Sequence, residues 1–184
     1  MAKKYRDRVQ LKLNIGCGKK PKVGWVNIDL KPSADLMLDA REPLPFSDNS
    51  CRIIYSEHFL EHLEYPQQAY SFLKECYRVL EPGGELSVAV PDTEWPIAEY
   101  LGTRNDGYFN IAKKEWHPDW CVTRMEHINQ HFREYYDHKF AYDYETLEHV
   151  LYKAGFSVVH KREYDPQLDC PVRRTGTLYA RASK

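Results

Sequence analysis

The first apolar run, "VQLKLNI" at residues 9–15, alternates apolar with polar positions and predicts a strand. "GWVNIDL" (24–30) predicts a second, "ADLMLDA" (34–40) a short third, and "CRIIYS" (51–56) a fourth after the turn-rich "REPLPFSDNS". From Pro66 the period changes, because Ala69, Phe72, Leu73, Cys76 and Leu80 recur at helical spacing. "EPGG" (81–84) stops that helix, and "ELSVAVPD" (85–92) is a strongly apolar fifth strand. Residues 93–142 are aromatic and histidine-bearing, with little aliphatic periodicity. Order returns at Asp143, an N-cap residue ahead of Leu147, Val150, Leu151 and Ala154, and Gly155 ends that helix. "FSVVHKREY" (156–164) and "TGTLYARAS" (175–183) are the last two strands. The connection between them carries no helix, which favours an antiparallel pair.

Alternating strands and helices closed by such a pair describe an α/β fold: an open, mostly parallel sheet of about seven strands with an antiparallel C-terminal hairpin. The 184 residues suit a single domain over 1–184. A net charge of −1 supplies no field that would recruit nucleic acid or an anionic membrane. No run approaches the ~20 apolar residues of a membrane span, and the basic "MAKKYRDR" lacks an apolar h-region. Cys17, Cys51, Cys76, Cys121 and Cys170 show neither CxxC spacing nor a disulfide framework, which fits the reducing cytoplasm.

The chemistry gathers first around "NIGCG". Gly16 and Gly18 follow the first strand directly, where an open parallel sheet binds its ligands. Their bare backbone permits a sharp turn and a close approach. A plain tight turn would look the same, but Asp29 at the end of the second strand shifts the balance towards a ligand that uses both.

Six elements in order, "LNIGCG", "NIDL", "LPFSDNS", "YSEHFLEHL", "YRVLEPGG" and "VPD", resemble the class I S-adenosylmethionine-dependent methyltransferases, and among them the compact type 11 group. The resemblance implies a Rossmann-like sheet and S-adenosyl-L-methionine as cofactor. It implies that Gly16, Cys17 and Gly18 lie against the methionine part and the ribose. Asp29, with Leu30 beside it, would take the ribose hydroxyls. Asp39 would take the adenine amino group, with the backbone of Ala40 adding to it. Ser56 and Glu57 would meet the methionine amino group. Asn14 stands where the family often carries an acid, so its contact to the ammonium would be an uncharged hydrogen bond. A nicotinamide-dependent oxidoreductase fits less well, since Lys19 and Lys20 replace the rest of GxGxxG and Asp29 comes too early. A non-catalytic cofactor-binding or interaction domain of the same fold is the remaining alternative.

Methyl transfer asks a protein mainly to align a nucleophile and exclude water. A hydroxyl acceptor also needs a base. The candidates are Asp92, His58, His62, His127 and His131, with His117 and His138 nearby in sequence. The i, i+4 spacing of His127 and His131 would also let them share zinc with Glu126 or His138. No HExxH or cysteine pair supports that, so no metal is expected, and residues 93–142 are read as a substrate-covering insertion or lid. The expected activity is transfer of a methyl group to a hydroxyl or amine of a small molecule, such as a sugar or other cyclic metabolite. No membrane or nucleic-acid partner is expected.

Overall fold

The computed structural model describes residues 4–5 and 8–184. Seven strands form one sheet: β1 (Leu11–Ile15), β2 (Val26–Asp29), β3 (Leu36–Met37), β4 (Cys51–Glu57), β5 (Leu80–Pro91), β6 (Val158–Lys161) and β7 (Thr177–Ser183). Their spatial order is β3-β2-β1-β4-β5-β7-β6. β1 to β5 are mutually parallel, and β7 runs antiparallel to both β5 and β6. The expected sheet and terminal hairpin are therefore present, with β7 inserted between β5 and β6. Five helices accompany it among the described residues: α1 (Gln67–Val79), α2 (Glu94–Tyr100), α3 (Tyr108–Glu115), α4 (Arg124–Arg133) and α5 (Tyr144–Ala154).

The alternation in the strands decides how the sheet is covered. Leu13, Ile15, Ile28, Ile54, Leu86, Val88, Leu178 and Ala180 belong to one apolar cluster with Phe72, Leu73 and Cys76 of α1 and with Leu147, Val150 and Leu151 of α5. The intervening positions face the other way and are largely polar: Asn14, Asn27, Tyr55, Glu57, Ser87 and Arg181. Parallel sheets with helices on both faces read as continuous apolar runs, whereas one covered face gives alternation. The β1–β2 and β2–β3 connections (16–25 and 30–35) hold turns and no helix.

Loops close much of that second face. Arg162, just after β6, donates through Nη1 and Nη2 to Asp169 at 2.6 and 2.7 Å and through Nε to Ser87 on β5 at 3.0 Å. Tyr55 of β4 donates to the same Asp169, and the Arg162 guanidinium lies 4.8 Å from the Tyr179 ring centre. A polar network thus pins the 162–176 loop where a helix would otherwise pack.

Two differences from the sequence reading have physical causes. "EPGG" does not end one element and precede another, because β5 already starts at Leu80, which pairs with Cys51. The register then shifts before Glu85, so residues 81–84 form a bulge, with Gly83 at φ +78°. The 93–142 segment, which showed little periodicity, contains α2, α3 and α4. These helices pack mainly on one another around Trp95, Tyr108, Phe109 and Ala112.

Candidate active site

The carboxyl ends of β1, β2 and β4 open into a groove of about 450 Å³. Gly16, Gly18, Asp29, Leu30, Leu38, Asp39 and Ala40 line one side, and His58, Phe59, His62, Asp137, Lys139 and Arg173 line the other. Gly16 has φ +70°, and a Cβ there would lie 2.9 Å from Phe59. Gly18 has φ +54° and nothing within 4 Å of where its Cβ would be, so its bare backbone faces open space. The Gly18 nitrogen donates to Asp29 Oδ2 at 2.7 Å, and the Lys31 nitrogen donates to Asp29 Oδ1 at 3.1 Å. The glycine loop and the acid are one hydrogen-bonded unit, which leaves further lone pairs of the carboxylate for a ligand.

A second cavity of about 450 Å³ continues past Gly16, Cys17 and Gly18 to Asn14, Lys19, Lys20, Lys22, Glu57 and Arg173. Acceptors for ribose hydroxyls, an apolar floor of Leu38, Ala40 and Phe59, and the open backbone at Gly18 suit S-adenosylmethionine in shape and chemistry. Lysines in the second cavity suit its carboxylate.

Several expected ligand residues carry other bonds. Asp39 lines the groove, yet its carboxylate holds the exposed Arg41 bidentately, at 2.6–3.0 Å. The hydrogen bond and charge of Arg41 hold that carboxyl below the ordinary range. Asn14 is 3% exposed, and its Nδ2 donates to Asn27 Oδ1 and to the Lys20 carbonyl. Asn27 Oδ1 also accepts from the Lys22 nitrogen. An aspartate at position 14 has no proton to give Asn27, so the amide is what staples a helix-free β1–β2 loop to the sheet. Glu57 accepts from the Cys170 nitrogen at 3.0 Å and faces Arg173. Ser56 pairs with Ile15 on the apolar face and is fully buried, so its side chain turns away from both cavities.

The histidines fall into separate places. His58 lines the groove in the left-handed region at φ +51°, a conformation that costs a non-glycine residue roughly 1–2 kcal/mol and concentrates at functional sites. Its Nε2 lies 2.9 Å from Thr177 Oγ1 and its Nδ1 3.7 Å from Glu61 Oε1. Burial, then the charge of Arg173, pushes its pKa well below the usual value, so the ring is neutral. His62 also lines the groove and meets Asp137 Oδ2 at 3.2 Å; burial lowers it too. Asp92, by contrast, accepts from the Glu94 and Trp95 nitrogens and starts α2. His127 faces His117 within the 93–142 segment, and Glu126 is taken by the capping box with Thr123 at the start of α4. His131 is buried with its Nε2 unpartnered, and burial holds it neutral, with a pKa of about 3. Asp92, His127 and His131 therefore do not line the groove, and His127 and His131 are not joined by Glu126 around a common centre.

Glu61 was not singled out from the sequence. It is 1% exposed, and neither carboxylate oxygen has a hydrogen-bond partner. His58 and His62 approach it from the groove, at 3.7 and 3.9 Å. His138 completes a close cluster with Glu61 and His62. Burial pushes the Glu61 carboxyl up to about 7. Burial would lower His138, but its 2.8 Å pairing with Glu134, the charge of Glu61 and the bond to the His131 carbonyl together raise it. The only hint in the sequence was the "EHFLEH" run, which places Glu61 three residues after His58 and next to His62.

Residues 20–88 match the model of a family described as a methyltransferase domain, type 11. No curated protein matches the chain by sequence. A SAM-dependent methyltransferase from Archaeoglobus fulgidus shares the fold at TM-score 0.59 and 17% identity, over 98% of this chain and 89% of its own. One from Methanosarcina mazei does so at 0.57 and 20% identity, over 99% and 95%. A possible exported protein of Bordetella parapertussis gives 0.61 at 11% identity over 98% of this chain, which spans 63% of that protein's length. Residues 20–88 thus resemble that methyltransferase family, and the chain as a whole shares the fold of the SAM-dependent methyltransferases from Archaeoglobus fulgidus and Methanosarcina mazei.

Proposed function

We propose that the protein methylates a hydroxyl or amine of a small cyclic metabolite such as a sugar, held between the cofactor groove and the His58–His62–Glu61 wall. The observation that carries this reading is the placement of His58: a neutral imidazole on the groove wall, in a costly backbone conformation, with a buried carboxyl behind it. Gly16, Cys17, Gly18, Asp29, Leu30 and Ala40 hold the cofactor in this reading, and Glu57 fixes the loop above its methionine end. The cofactor supplies a methyl group already activated by its sulfonium. His58 takes at Nδ1 the proton that a hydroxyl acceptor gives up as it gains the methyl group, while the bond of Nε2 to Thr177 keeps the ring oriented.

The 93–142 insertion acts as the lid. Support comes from Asp137 and Lys139, which reach the groove, and from the Lys139 and Phe140 nitrogens, which donate to the Glu61 carbonyl at 2.7 and 3.2 Å. The five cysteines are unpaired, which suits the cytoplasm as the site of reaction.

Formation of S-adenosylhomocysteine across panels of sugars, phenols and amines tests the proposal. Turnover with a hydroxyl or amine class is expected, and His58→Asn should lower kcat while leaving cofactor affinity unchanged. Cofactor binding without turnover on any panel, or an unaltered kcat in His58→Asn, would overturn it.

A further inference from the structure

The insertion is held together by very little apolar burial. Its own cluster consists of four buried residues, Trp95, Tyr108, Phe109 and Ala112, with Ile111 and Ile128 packed against them. This cluster is separate from the main core. Apolar cores this small seldom suffice, and proteins add covalent or metal staples to them. Beside the cluster, three metal-binding side chains converge. His117 lies in the loop after α3, Cys121 lies further along that loop, and His127 sits on α4.

The Nδ1 atoms of His117 and His127 are 2.8 Å apart, and the rings stack at 5.1 Å between centres. Cys121 Sγ and one ring nitrogen from each histidine lie within 4.8 Å of one another. Cys121 is fully buried and His127 is 3% exposed. The thiol's hydrogen-bond contact is a long one, 3.9 Å to the Glu126 carbonyl. A cysteine thiol and two imidazole nitrogens gathered this closely are an unusual choice for a structure that needed only packing.

We propose that His117, Cys121 and His127 bind one zinc ion that clips the α3–α4 loop to α4. Zinc–nitrogen bonds of about 2.0–2.1 Å and zinc–sulfur bonds of about 2.3 Å put tetrahedral ligand atoms roughly 3.3–3.7 Å apart. From separations of at most 4.8 Å, closing by up to about 1–1.5 Å brings the three atoms to that spacing. Imidazole with thiolate selects zinc over magnesium or calcium, which prefer oxygen. On binding, the Cys121 thiol releases its proton to solvent. The proton shared by the two Nδ1 atoms moves to a ring Nε2, so both Nδ1 lone pairs face the metal. His117 is partly exposed, and water takes the fourth position on that side. This site differs from a His127–His131 pair, because His117 and Cys121 are the groups that meet His127.

Zinc alone, titrated into the chelator-treated full chain, tests the site by calorimetry and by melting temperature. One equivalent should bind and raise the melting temperature, as a ligand of the native state must. Cobalt in its place should give a sulfur-to-metal charge-transfer band that Cys121→Ser abolishes. Losing a group that only orients a ligand costs 10–100-fold in metal affinity, so Cys121→Ser, His117→Ala and His127→Ala should each weaken zinc by at least about tenfold. His138→Gln, in the Glu61 cluster, should leave zinc affinity unchanged. Circular dichroism of each variant separates lost binding from lost folding, and the cobalt band on the native chain needs no variant at all. Absence of stoichiometric zinc binding would overturn the proposal. So would zinc binding that survives Cys121→Ser and is lost in His138→Gln.

Discussion

The backbone nitrogen of Gly18 donates to Asp29 Oδ2 at 2.7 Å, so the end of β2 holds the turn that follows β1. A carboxylate that organises the loop and lines the groove would serve a ligand twice, by direct acceptance and by fixing the backbone around it. Asp29→Ala should therefore weaken S-adenosylmethionine by the cost of a charged hydrogen-bond partner, about 1.5–3 kcal/mol. That is roughly a 10- to 150-fold rise in Kd. Calorimetry on the folded variant checks it, and unchanged affinity would remove Asp29 from the site.

Phe59 presses on the same turn from the other side. A Cβ at Gly16 would lie 2.9 Å from the Phe59 ring and its Cβ, and φ +70° strains any L-residue. Gly16→Ala should cost at least about 1–2 kcal/mol of stability and displace Phe59 from the groove floor. Adding Phe59→Ala should recover only the share of the clash that comes from the ring, since alanine keeps the Cβ that also lies at 2.9 Å, and none of the part due to the dihedral. A double-mutant cycle by urea unfolding separates the two.

Much of this was legible in the sequence, for reasons that can be named. The strand alternation of "VQLKLNI" reports a sheet with one apolar face, and β1 has that face buried. Gly16, Gly18 and Asp29 were legible because backbone freedom and an acid at a strand end are local requirements. The three helices of residues 93–142 were not, since they bury few aliphatic residues and pack on aromatic rings and histidines instead. A start signal for α4 was present in Thr123 and Glu126, spaced as a capping box. Glu61 was illegible because its meaning comes from burial, which depends on Tyr142, Phe140 and His138 folding over it from far along the chain. Asn14 looked like a weakened ligand contact, and only its partner Asn27, thirteen residues away, reveals the amide as a loop staple.

The polar network on the second sheet face makes its own prediction. Arg162 and Asp169 are both buried, so removing one leaves the other charge without a partner. Arg162→Ala should destabilise the protein by about 3–5 kcal/mol. Arg162→Lys should recover little, because an ammonium cannot span both carboxylate oxygens and Ser87 at once. Urea unfolding midpoints at constant m-value measure the loss. A shift within experimental scatter for Arg162→Ala would mean that the 162–176 loop is held by something else.

Glu61 gives the folded state a pH dependence of definite sign. Its carboxyl sits near 7 in the folded protein against an ordinary value of 4.5, with His58, His62, His138, Arg173 and Glu134 around it. Below about pH 4.5 both folded and unfolded chains carry the proton, and Glu61 costs nothing extra. Between 4.5 and 7 the unfolded chain releases the proton while the folded chain keeps it, so unfolding is increasingly favoured as the pH rises. At 1.36 kcal/mol per unit the loss by pH 7 is about 3 kcal/mol. The buried histidines act in the opposite direction: His58 and His131 are neutral when folded and protonate when unfolded, so they favour folding as the pH rises towards 6.5. The total profile mixes both signs, and the difference between the native chain and Glu61→Gln isolates the carboxyl. Glutamine keeps the shape and cannot ionise. The variant should match the native chain at pH 4.5 and exceed it by about 3 kcal/mol near pH 7.5, measured by urea unfolding across that range. Parallel profiles would show that Glu61 is ionised in the folded protein, paired with a protonated His138, and would move the proton of this cluster from the carboxyl to the imidazole.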